Sequence, residues 1–502
     1  MSTRTHRGIE MVRQIMGKCS WPHVTGLLVV GLLMLGAPGA GDAREITDFD
    51  ITIAVQREFV NDPGVMSHQI DVKTEDGVAV LSGIVDNIRA KDRATLVAES
   101  IRGVRSVVNR ITVSPPEKVK DSEIQENVKR ILLYDPATDS YDIKVKVDDG
   151  VVTLTGNVDS WQERKLAGTV AKGVSGVVGL NSDILVTYET DRLDEDIENE
   201  IEARLDWDVL VDARFIKVDV DDGKVMLKGR VGSAREKTHA MTLSWVADVS
   251  SVNTDAVDID WAMRDEMKRD TAVIKTDEEI RTAILDAFRY DPRVYSFNPD
   301  VKVSGGIVTL TGTVSNLMAK NAAEQDAENT AGVWRVKNYL RVRPTLSWMD
   351  NDDEQIQRTI RNRFVFDPVV DSNEIGVKVL NGKAYLTGMV DTTFEKMEAE
   401  DIASSVKGVI VVQNNIDVRP YAVNEKSDWE IRQDINDELW WSPFVDANEV
   451  TVTVNDGVVT LTGTVDSWSE YRAAVKNAYD GGAESVINEL KVENAPEQIS
   501  AR

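Results

Sequence analysis

The 502-residue sequence contains a single cysteine, Cys19, and only four histidines. Cys19 precedes an apolar stretch that a lipid-attachment cysteine would follow, so it is not placed for lipidation. The chain beyond this segment has no thiol, which excludes disulfides and nucleophilic cysteine chemistry there. His68 and His239 are the two histidines in that part. They fall at non-equivalent positions of different repeats, so we expect surface histidines and no shared metal site or catalytic triad.

Basic residues are scarce, with 58 lysines and arginines against 85 aspartates and glutamates and a formal net charge of −27. Nucleic-acid-binding proteins usually carry a basic footprint, so no nucleic-acid partner is expected. A chain of this charge is not attracted to anionic lipid as a whole, so any binding to such lipid would need a local basic or apolar contact. With 42% apolar and 28% charged residues, the composition is that of folded soluble domains with hydrophobic cores.

A long apolar run occurs only near the N-terminus, at residues 24–37. Basic residues precede it through Lys18 and small residues follow up to Ala43, which is the order of a secretory signal. The run is short for a membrane-spanning helix. We predict that residues 1–43 are a signal peptide cleaved after Ala43, with an uncleaved membrane anchor as the alternative. Both place the rest of the chain across a membrane from the cytoplasm, in the periplasm.

After this segment one pattern recurs six times, which indicates a tandem array. Each copy opens with an aspartate, any residue, an acid or glutamine, and then isoleucine, at spacings of 73, 73, 83, 76 and 75 residues. The six aspartates are Asp48, Asp121, Asp194, Asp277, Asp353 and Asp428. The period predicts six small domains, called modules 1 to 6, at 47–114, 121–187, 194–260, 277–345, 353–419 and 428–493. Residues 261–276 are the expected linker, and 494–502 the tail.

An apolar i, i+4, i+8 row follows each aspartate, for example Ile124, Val128 and Leu132. This spacing predicts an amphipathic helix with the aspartate as its N-cap. A proline such as Pro136 ends the helix in every copy except the third. The acidic run 350–354 lacks the glycine and the bidentate acid of a calcium loop, and Asp353 already has the capping role. No metal and no cofactor are therefore predicted.

Two strands and a tight turn come next. Alternating apolar residues flank Asp149-Gly150 and its equivalents, the strongest short-range signal for a two-residue hairpin. A further glycine, such as Gly156, lies where the second strand is expected to end and the next element to begin. A phosphate loop is excluded because each pair lies between two strands. The structural glycines are Gly77, Gly83, Gly150, Gly156, Gly223, Gly229, Gly306, Gly312, Gly382, Gly388, Gly457 and Gly463.

A second, alanine-rich helix follows, and a β-branched run after a late glycine predicts a third strand. Because a helix separates strands two and three, we expect them to pair in parallel. Four copies begin this helix with a predicted capping box: Ser160 with Glu163, Ser233 with Glu236, Thr392 with Glu395, and Ser467 with Glu470. The predicted fold class is α+β: six tandem αββαβ modules, each a three-stranded mixed sheet packed against two helices.

The hairpin segments DDGVVTLTGNVDS from Asp148 and NDGVVTLTGTVDS from Asn455, in this order of elements, closely resemble the BON domain of bacterial periplasmic and outer-membrane proteins. The resemblance covers all six segments. The third copy departs most, since it lacks the proline and has Ala247 or Asp248 at the late glycine. The resemblance implies a periplasmic, non-enzymatic protein that associates with phospholipid or supports envelope integrity under osmotic stress.

An aromatic residue recurs at the end of the first helix, two residues before the proline or its equivalent. Such a side chain either covers the open end of its own sheet or forms a contact surface for lipid or protein. Trp161 and Trp468, at the start of second helices, are weaker candidates of the same kind. The candidate binding residues are Tyr134, Trp207, Tyr290, Phe366 and Trp441, with Trp440 and Phe444 beside the last of them.

Three functional hypotheses follow. The leading one is a non-enzymatic envelope protein whose six similar surfaces bind phospholipid membranes with avidity. The alternative is a soluble periplasmic protein-interaction or chaperone-like factor with envelope proteins as clients. The third is a hydrolytic site made of carboxylates between modules, for which the sequence offers no constellation. Oligomeric state does not follow from the sequence.

Overall fold

The computed structural model of the chain describes most of the segment from Ile46 onward, which forms one compact unit. The predicted signal peptide, Cys19 and His68 lie outside the described residues. No helix in the described part is long and apolar enough to cross a bilayer. The described residues are 46–62, 64–65, 69–135, 137–138, 142–188, 192–261, 275–294, 299–343, 352–419, 426–442, 444–465, 467–483 and 485–492.

Each module begins with a 14-residue helix whose apolar stripe is buried, as predicted; Ile124, Val128 and Leu132 are examples. Acids in the first turn complement the helix dipole. The second helices are shorter, and in each an alanine is buried in mid-helix, such as Ala167. The first helices are α1 (Asp48–Asn61), α3 (Asp121–Tyr134), α5 (Asp194–Trp207), α7 (Asp277–Tyr290), α9 (Asp353–Phe366) and α11 (Asp428–Trp441). The second helices are α2 (Ile88–Glu99), α4 (Trp161–Lys172), α6 (Ala234–Leu243), α8 (Leu317–Glu328), α10 (Thr393–Ser404) and α12 (Trp468–Asp480).

In every module the second strand is central, antiparallel to the first and parallel to the third, which confirms the predicted αββαβ topology. The hairpin strands are β1 (Gln69–Glu75), β2 (Val78–Val85), β5 (Asp142–Asp148), β6 (Val151–Val158), β8 (Ile216–Asp221), β9 (Lys224–Val231), β11 (Asp300–Ser304), β12 (Ile307–Thr311), β13 (Thr313–Val314), β16 (Ile375–Leu380), β17 (Lys383–Val390), β19 (Val450–Asn455) and β20 (Val458–Val465). The closing strands are β3 (Ser106–Asn109), β4 (Thr112–Val113), β7 (Gly179–Val186), β10 (Ser251–Ile259), β14 (Arg335–Asn338), β15 (Arg341–Val342), β18 (Val411–Val418) and β21 (Ser485–Val492).

The opening aspartates do not cap their helices, contrary to the prediction. The N-cap is the preceding residue, for example Lys120, and the aspartate is the first helical residue. Its carboxylate accepts both backbone N–H groups of the hairpin turn: Asp121 receives Asp149 and Gly150 at 2.9 Å each. The same pair of hydrogen bonds occurs in all six modules. The motif therefore ties the start of the first helix to the tip of the hairpin.

The turn residues adopt the left-handed conformation that the two-residue hairpin requires, with φ of 47° at Asp149 and 76° at Gly150. Except in module 4, where Gly312 separates β12 from β13, the second glycine does not end its strand but lies inside it; Gly156, for example, pairs with Ile143 near the start of strand one. Gly156 has φ of 149°, and a Cβ there would stand 2.2 Å from the carbonyl oxygen of Asp142. In module 3, where the late glycine is absent, Asp248 takes its place at φ of 68°.

Replacing Gly156 by alanine is therefore expected to destabilise module 2. The strained backbone alone costs about 1–3 kcal/mol, and the hairpin must also move to relieve the contact with Asp142. Gly179→Ala is the matched control, because its Cβ would meet only Val151 at 3.4 Å, in ordinary contact. Chemical unfolding of both variants checks this, and equal stability of the two would refute the assignment.

Of each predicted capping box, only the hydrogen bond to the Ser or Thr side chain forms as expected. Ser160 accepts the N–H of Glu163 at 3.1 Å as expected, but the carboxylate of Glu163 receives the N–H of Asp159, one residue before the cap. In module 3 the corresponding Glu236 also receives the N–H of Asp212, at 3.0 Å, and so joins the second helix to the loop before strand one. Complete capping boxes occur instead at the first helices of modules 1, 4 and 6.

The buried apolar residues within the described ranges form six clusters, one for each module. Each cluster joins the two helix stripes to one face of the module's own sheet. A few side chains cross over: Trp441 of module 6 and Ala234 of module 3 belong to the cluster of module 1. Each module therefore has its own hydrophobic core, to which neighbouring modules contribute a few side chains.

Candidate functional site

A shared turn at the end of the first helix sets the position of the recurrent aromatic residue. In module 2 the Asp135 Oδ1 accepts the N–H of Ala137, at 3.0 Å. Equivalent turns follow Asp62, Asp208, Asp291 and Asp367, and Ser442 plays the same part in module 6. An Asx-turn of this kind ends the helix by satisfying a backbone donor with a side chain. The residue just before the turn is the recurrent aromatic in modules 2 to 6.

Modules 1 and 6 meet through this position. Trp441 is 9% exposed and packs in the core of module 1. The Trp440 ring lies edge-on to it, with 4.6 Å between the ring centres. The backbone N–H of Arg102 in module 1 donates to the carbonyl of Trp441 at 3.3 Å. The Arg102 guanidinium lies 4.7 Å from the centre of the Trp440 ring. Arg57 and Asp437 close the contact with an ion pair at 2.7 Å.

The other modules pair in the same way. Modules 2 and 5 share a hydrogen bond of 2.7 Å from the N–H of Ser175 to the carbonyl of Phe366. Modules 3 and 4 share one of 2.9 Å from the N–H of Ala331 to the carbonyl of Trp207. In all three pairs the donor lies just after a second helix and the acceptor is the recurrent aromatic. The chain therefore folds back on itself, pairing first with last, second with fifth and third with fourth.

Further ion pairs join one pair of modules to the next. Lys172 of module 2 contacts Asp92 of module 1 at 2.6 Å. Arg472 of module 6 contacts Glu328 of module 4 at 2.6 Å. Arg89 of module 1 makes a bidentate contact with Glu398 of module 5. The six modules are thus one packed body.

The predicted binding residues therefore lie mostly between modules. Trp207 packs against the core of module 4, and Trp440 against that of module 1. Phe366 and Phe444 are half-buried, whereas Tyr134 and Tyr290 remain 46% and 37% exposed. From the sequence, these aromatics were expected either to cover the open end of their own sheet or to contact lipid or another protein. Contacts between modules of the same chain were not considered. Their binding of lipid or protein stays a prediction. Trp161 stacks on Trp245 at 5.3 Å, and Trp468 on Tyr471 at 4.3 Å.

Carboxyl groups face each other at the contact of modules 1 and 6. Burial, followed by a hydrogen bond and repulsion from Glu438, raises the pKa of Glu58 to about 9. Glu438 in turn accepts the Asn61 amide at 3.2 Å. This contact therefore holds a proton at neutral pH.

A cavity of about 480 Å³, lined by both apolar and charged side chains, lies at the junction of modules 1, 2, 4 and 5. Burial raises the pKa of Asp367 to about 7 and that of Asp401 to about 6. Asp367 also accepts the N–H groups of Val369 and Val370, and Arg89 lies 3.5 Å from it. Arg89 and these backbone donors already occupy the oxygens of Asp367. Structural ion-pair networks also shift pKa values, so the shifts alone do not identify a catalytic site.

No cluster of three or more possible metal ligands occurs among the residues that the structure describes. His239 is half-buried rather than on the open surface, with its Nε2 2.8 Å from the Asp208 carboxylate of the same module. Asp353, which was considered as a calcium ligand from the sequence, instead accepts the backbone N–H groups of Asn381 and Gly382.

Comparison with known proteins decides the family. The BON domain description matches residues 47–115, 120–188, 193–260, 276–344, 352–420 and 427–494. The chain belongs to the BON domain family. The resemblance inferred from the hairpin motif and the predicted fold class are thereby confirmed.

Relatives of this BON-domain chain include two named bacterial proteins. Osmotically-inducible protein Y of Escherichia coli is 34% identical over 143 residues, or 27% of this chain and 71% of that protein. Outer membrane lipoprotein DolP of Haemophilus influenzae is 31% identical over 158 residues, or 30% of this chain and 81% of that protein. A solved structure of the C-terminal domain of CdsD, a structural protein of the type III secretion system of Chlamydia trachomatis, also matches. The two are 14% identical, and the match covers 43% of this chain and all of the CdsD chain. The TM-score of this match is 0.12.

BON modules 1 and 6 differ from the other four on their outer surface. At the second residue of the first helix they have Phe49 and Trp429, which are 73% and 63% exposed. The equivalent residues of modules 2 to 5 are Ser122, Glu195, Glu278 and Glu354. Exposed aromatics at a position that the fold otherwise fills with polar residues are not needed for packing, so they are candidates for an external contact.

Proposed function

We propose that this chain is an exported, non-enzymatic protein of the bacterial envelope that associates with phospholipid surfaces. The observation that carries the proposal is the exposed pair Phe49 and Trp429 on modules 1 and 6. An envelope location is supported by the relatives, one named as osmotically inducible and the other as an outer membrane lipoprotein. The absence of a catalytic role is supported by the junction carboxyls, which already serve ion pairs and backbone donors.

Apolar burial drives this association. Moving a large apolar side chain out of water is worth about 1.5–3 kcal/mol. Since modules 1 and 6 are packed together, both aromatics belong to one body, and insertion of the first raises the effective concentration of the second. The net charge of −27 opposes anionic lipid. Salt screens that repulsion, so salt should strengthen retention on anionic vesicles, whereas binding through a basic patch would weaken.

Vesicle sedimentation tests the proposal. The protein, purified as cells export it, is mixed with phosphatidylcholine vesicles with and without phosphatidylglycerol, at low and high salt. We expect retention that falls strongly in the Phe49→Ser, Trp429→Ser double variant. Tyr339→Ser is the matched control, since Tyr339 is also 63% exposed but lies in module 4.

Two results count against membrane association. The first is equal retention of the double variant and the wild type. The second is the failure of every vesicle to retain the wild type, which would favour the alternative of a soluble factor with protein clients.

A further inference from the structure

We propose that the cleft between modules 2, 3 and 4 binds a small organic amphiphile that has an apolar body and one protonated amine, with the amine held by Asp326. The cleft has a volume of about 770 Å³, which lies within the range of about 300–1,000 Å³ of small-molecule sites. It is distinct from the surface proposed for lipid. Neither Phe49 nor Trp429 lines it.

Aromatic side chains from three modules form the walls. Trp161 of module 2, Trp207 of module 3 and Tyr290 of module 4 all line the cleft. Ala283 and Ala287 of α7 also line it, and their small side chains leave room for a ligand. Each of the three rings already has a cation of the protein over one face: Lys165 over Trp161, Lys275 over Trp207 and Arg204 over Tyr290. The walls therefore suit the apolar body of a ligand, aromatic or aliphatic, and not its charged group.

Asp326 is unusual when the six copies are compared. It is the tenth residue of its second helix, where modules 1, 2, 3 and 5 have apolar residues and module 6 has an amide: Val97, Val170, Leu243, Ile402 and Asn477. The fold therefore does not need an acid at this position. A buried carboxyl in place of an apolar residue costs stability unless it is paired, so its presence calls for a separate explanation.

The carboxyl of Asp326 has an unused acceptor. Its Oδ2 is shielded from solvent and has no hydrogen-bond partner among the described residues. Burial, then repulsion from Asp291, raises the pKa of Asp326, and Arg293 opposes this shift. Buried polar atoms in native proteins almost always have a partner. Asp326 lines the cleft, so an ammonium group bound there would pair with this carboxyl and, as a positive charge, would lower its pKa again.

The charges around the cleft favour a cation over an anion. Seven carboxyl side chains and three lysine or arginine side chains line it. Most of these charges are already in ion pairs, among them Arg204 with Glu200 at 2.8 Å and Arg293 with Asp291 at 2.6 Å. Glu278 and Asp286 pair with Arg281 and Arg289, and Asp208 contacts His239. Asp326 forms no ion pair among the described residues, so an entering cation would meet an unpaired carboxyl, which an entering anion would avoid.

Three probes with one ring system test the proposal on the full protein by equilibrium dialysis. They are 1-naphthylmethylamine, which is a cation at neutral pH, the neutral 1-naphthylmethanol, and the anion 1-naphthylacetate. We expect the amine to bind about tenfold more tightly than the alcohol, since a hydrogen bond between charged groups is roughly twice as strong as one between neutral groups. The anion should bind most weakly.

Variants separate a ligand-binding acid from a structural one. Asp326→Asn should remove the preference for the amine and leave alcohol binding unchanged. Asp326→Leu restores the residue type of the other modules, so it should keep the protein folded or stabilise it, also without the preference. Ala283→Trp fills the cleft and should abolish binding of both probes. Asp300→Asn, a change of an exposed acid outside the cleft, is the matched control.

The proposal is overturned if none of the three probes binds, if amine and alcohol bind equally to the wild type, or if Asp326→Asn keeps the preference. Unfolding of both Asp326 variants would assign the residue a structural role and also overturn it. Since Phe49 and Trp429 remain intact in every cleft variant, vesicle retention should be unchanged.

Discussion

Replacing Trp441 with alanine is expected to detach module 6 from module 1 and to lower the free energy of unfolding by about 3–5 kcal/mol, the usual cost of truncating a buried tryptophan. The indole packs in the core of a module that precedes it by more than 300 residues. Its loss opens a cavity there and removes the edge-on partner of Trp440. Urea unfolding followed by tryptophan fluorescence measures the loss of stability, and limited proteolysis reports the release of module 6.

Trp429→Ala is the control, because this residue lies on the same helix and is 63% exposed. Surface changes of this kind usually stay within about 0.5 kcal/mol. If the two variants were equally stable and equally resistant to protease, Trp441 would not hold the two modules together.

Stability of the packed body should fall as the pH rises from about 4.5 to about 9. Glu58 has a folded-state pKa of about 9 against 4.5 for the unpaired group. The folded protein therefore binds more protons than the unfolded chain in this window. Each such proton lowers the unfolding free energy by at most about 1.4 kcal/mol per pH unit. Asp367 and Asp401, with pKa values of about 7 and about 6, act in the same direction at lower pH.

Glu58→Gln isolates this effect. The amide keeps the shape and needs no proton, so the variant should be more stable than the wild type at pH 8 and equal to it near pH 4.5. Glu354→Gln, with a side chain that is 83% exposed, is the control and should change stability little at any pH. A wild type whose stability rises across this window, or a Glu58→Gln variant less stable at pH 8, would contradict the assignment.

The module fold follows from the sequence because its signals are local. The row Ile124, Val128, Leu132 has helical spacing, and the alternation around Asp149-Gly150 has strand spacing, so each element identifies itself within about ten residues. Six repetitions then reveal the order of the elements. Asp121 was misassigned because a capping role also satisfies local rules, whereas its bonds to a turn 28 residues away depend on how the helix packs on the sheet.

The pairing of modules depends on contacts between residues far apart in sequence, which periodicity does not report. Comparison of equivalent positions contains part of this information. The eleventh residue of the first helix is Glu58 in module 1 and Glu438 in module 6, whereas module 3 has Arg204. Such differences among copies mark surfaces that are specific to one partner. The same comparison singled out Asp326 and the exposed Phe49.

The central claim is that six self-contained modules fold back so that the first packs on the last. Cross-linking tests this most directly, because Cys19 is the only natural cysteine. With Cys19 changed to serine, Arg57→Cys and Asp437→Cys are introduced together and treated, at high dilution, with a short bis-maleimide. The account predicts rapid intramolecular linkage of these two positions, 380 residues apart, which urea abolishes. Linkage no faster than in the unfolded chain would contradict it.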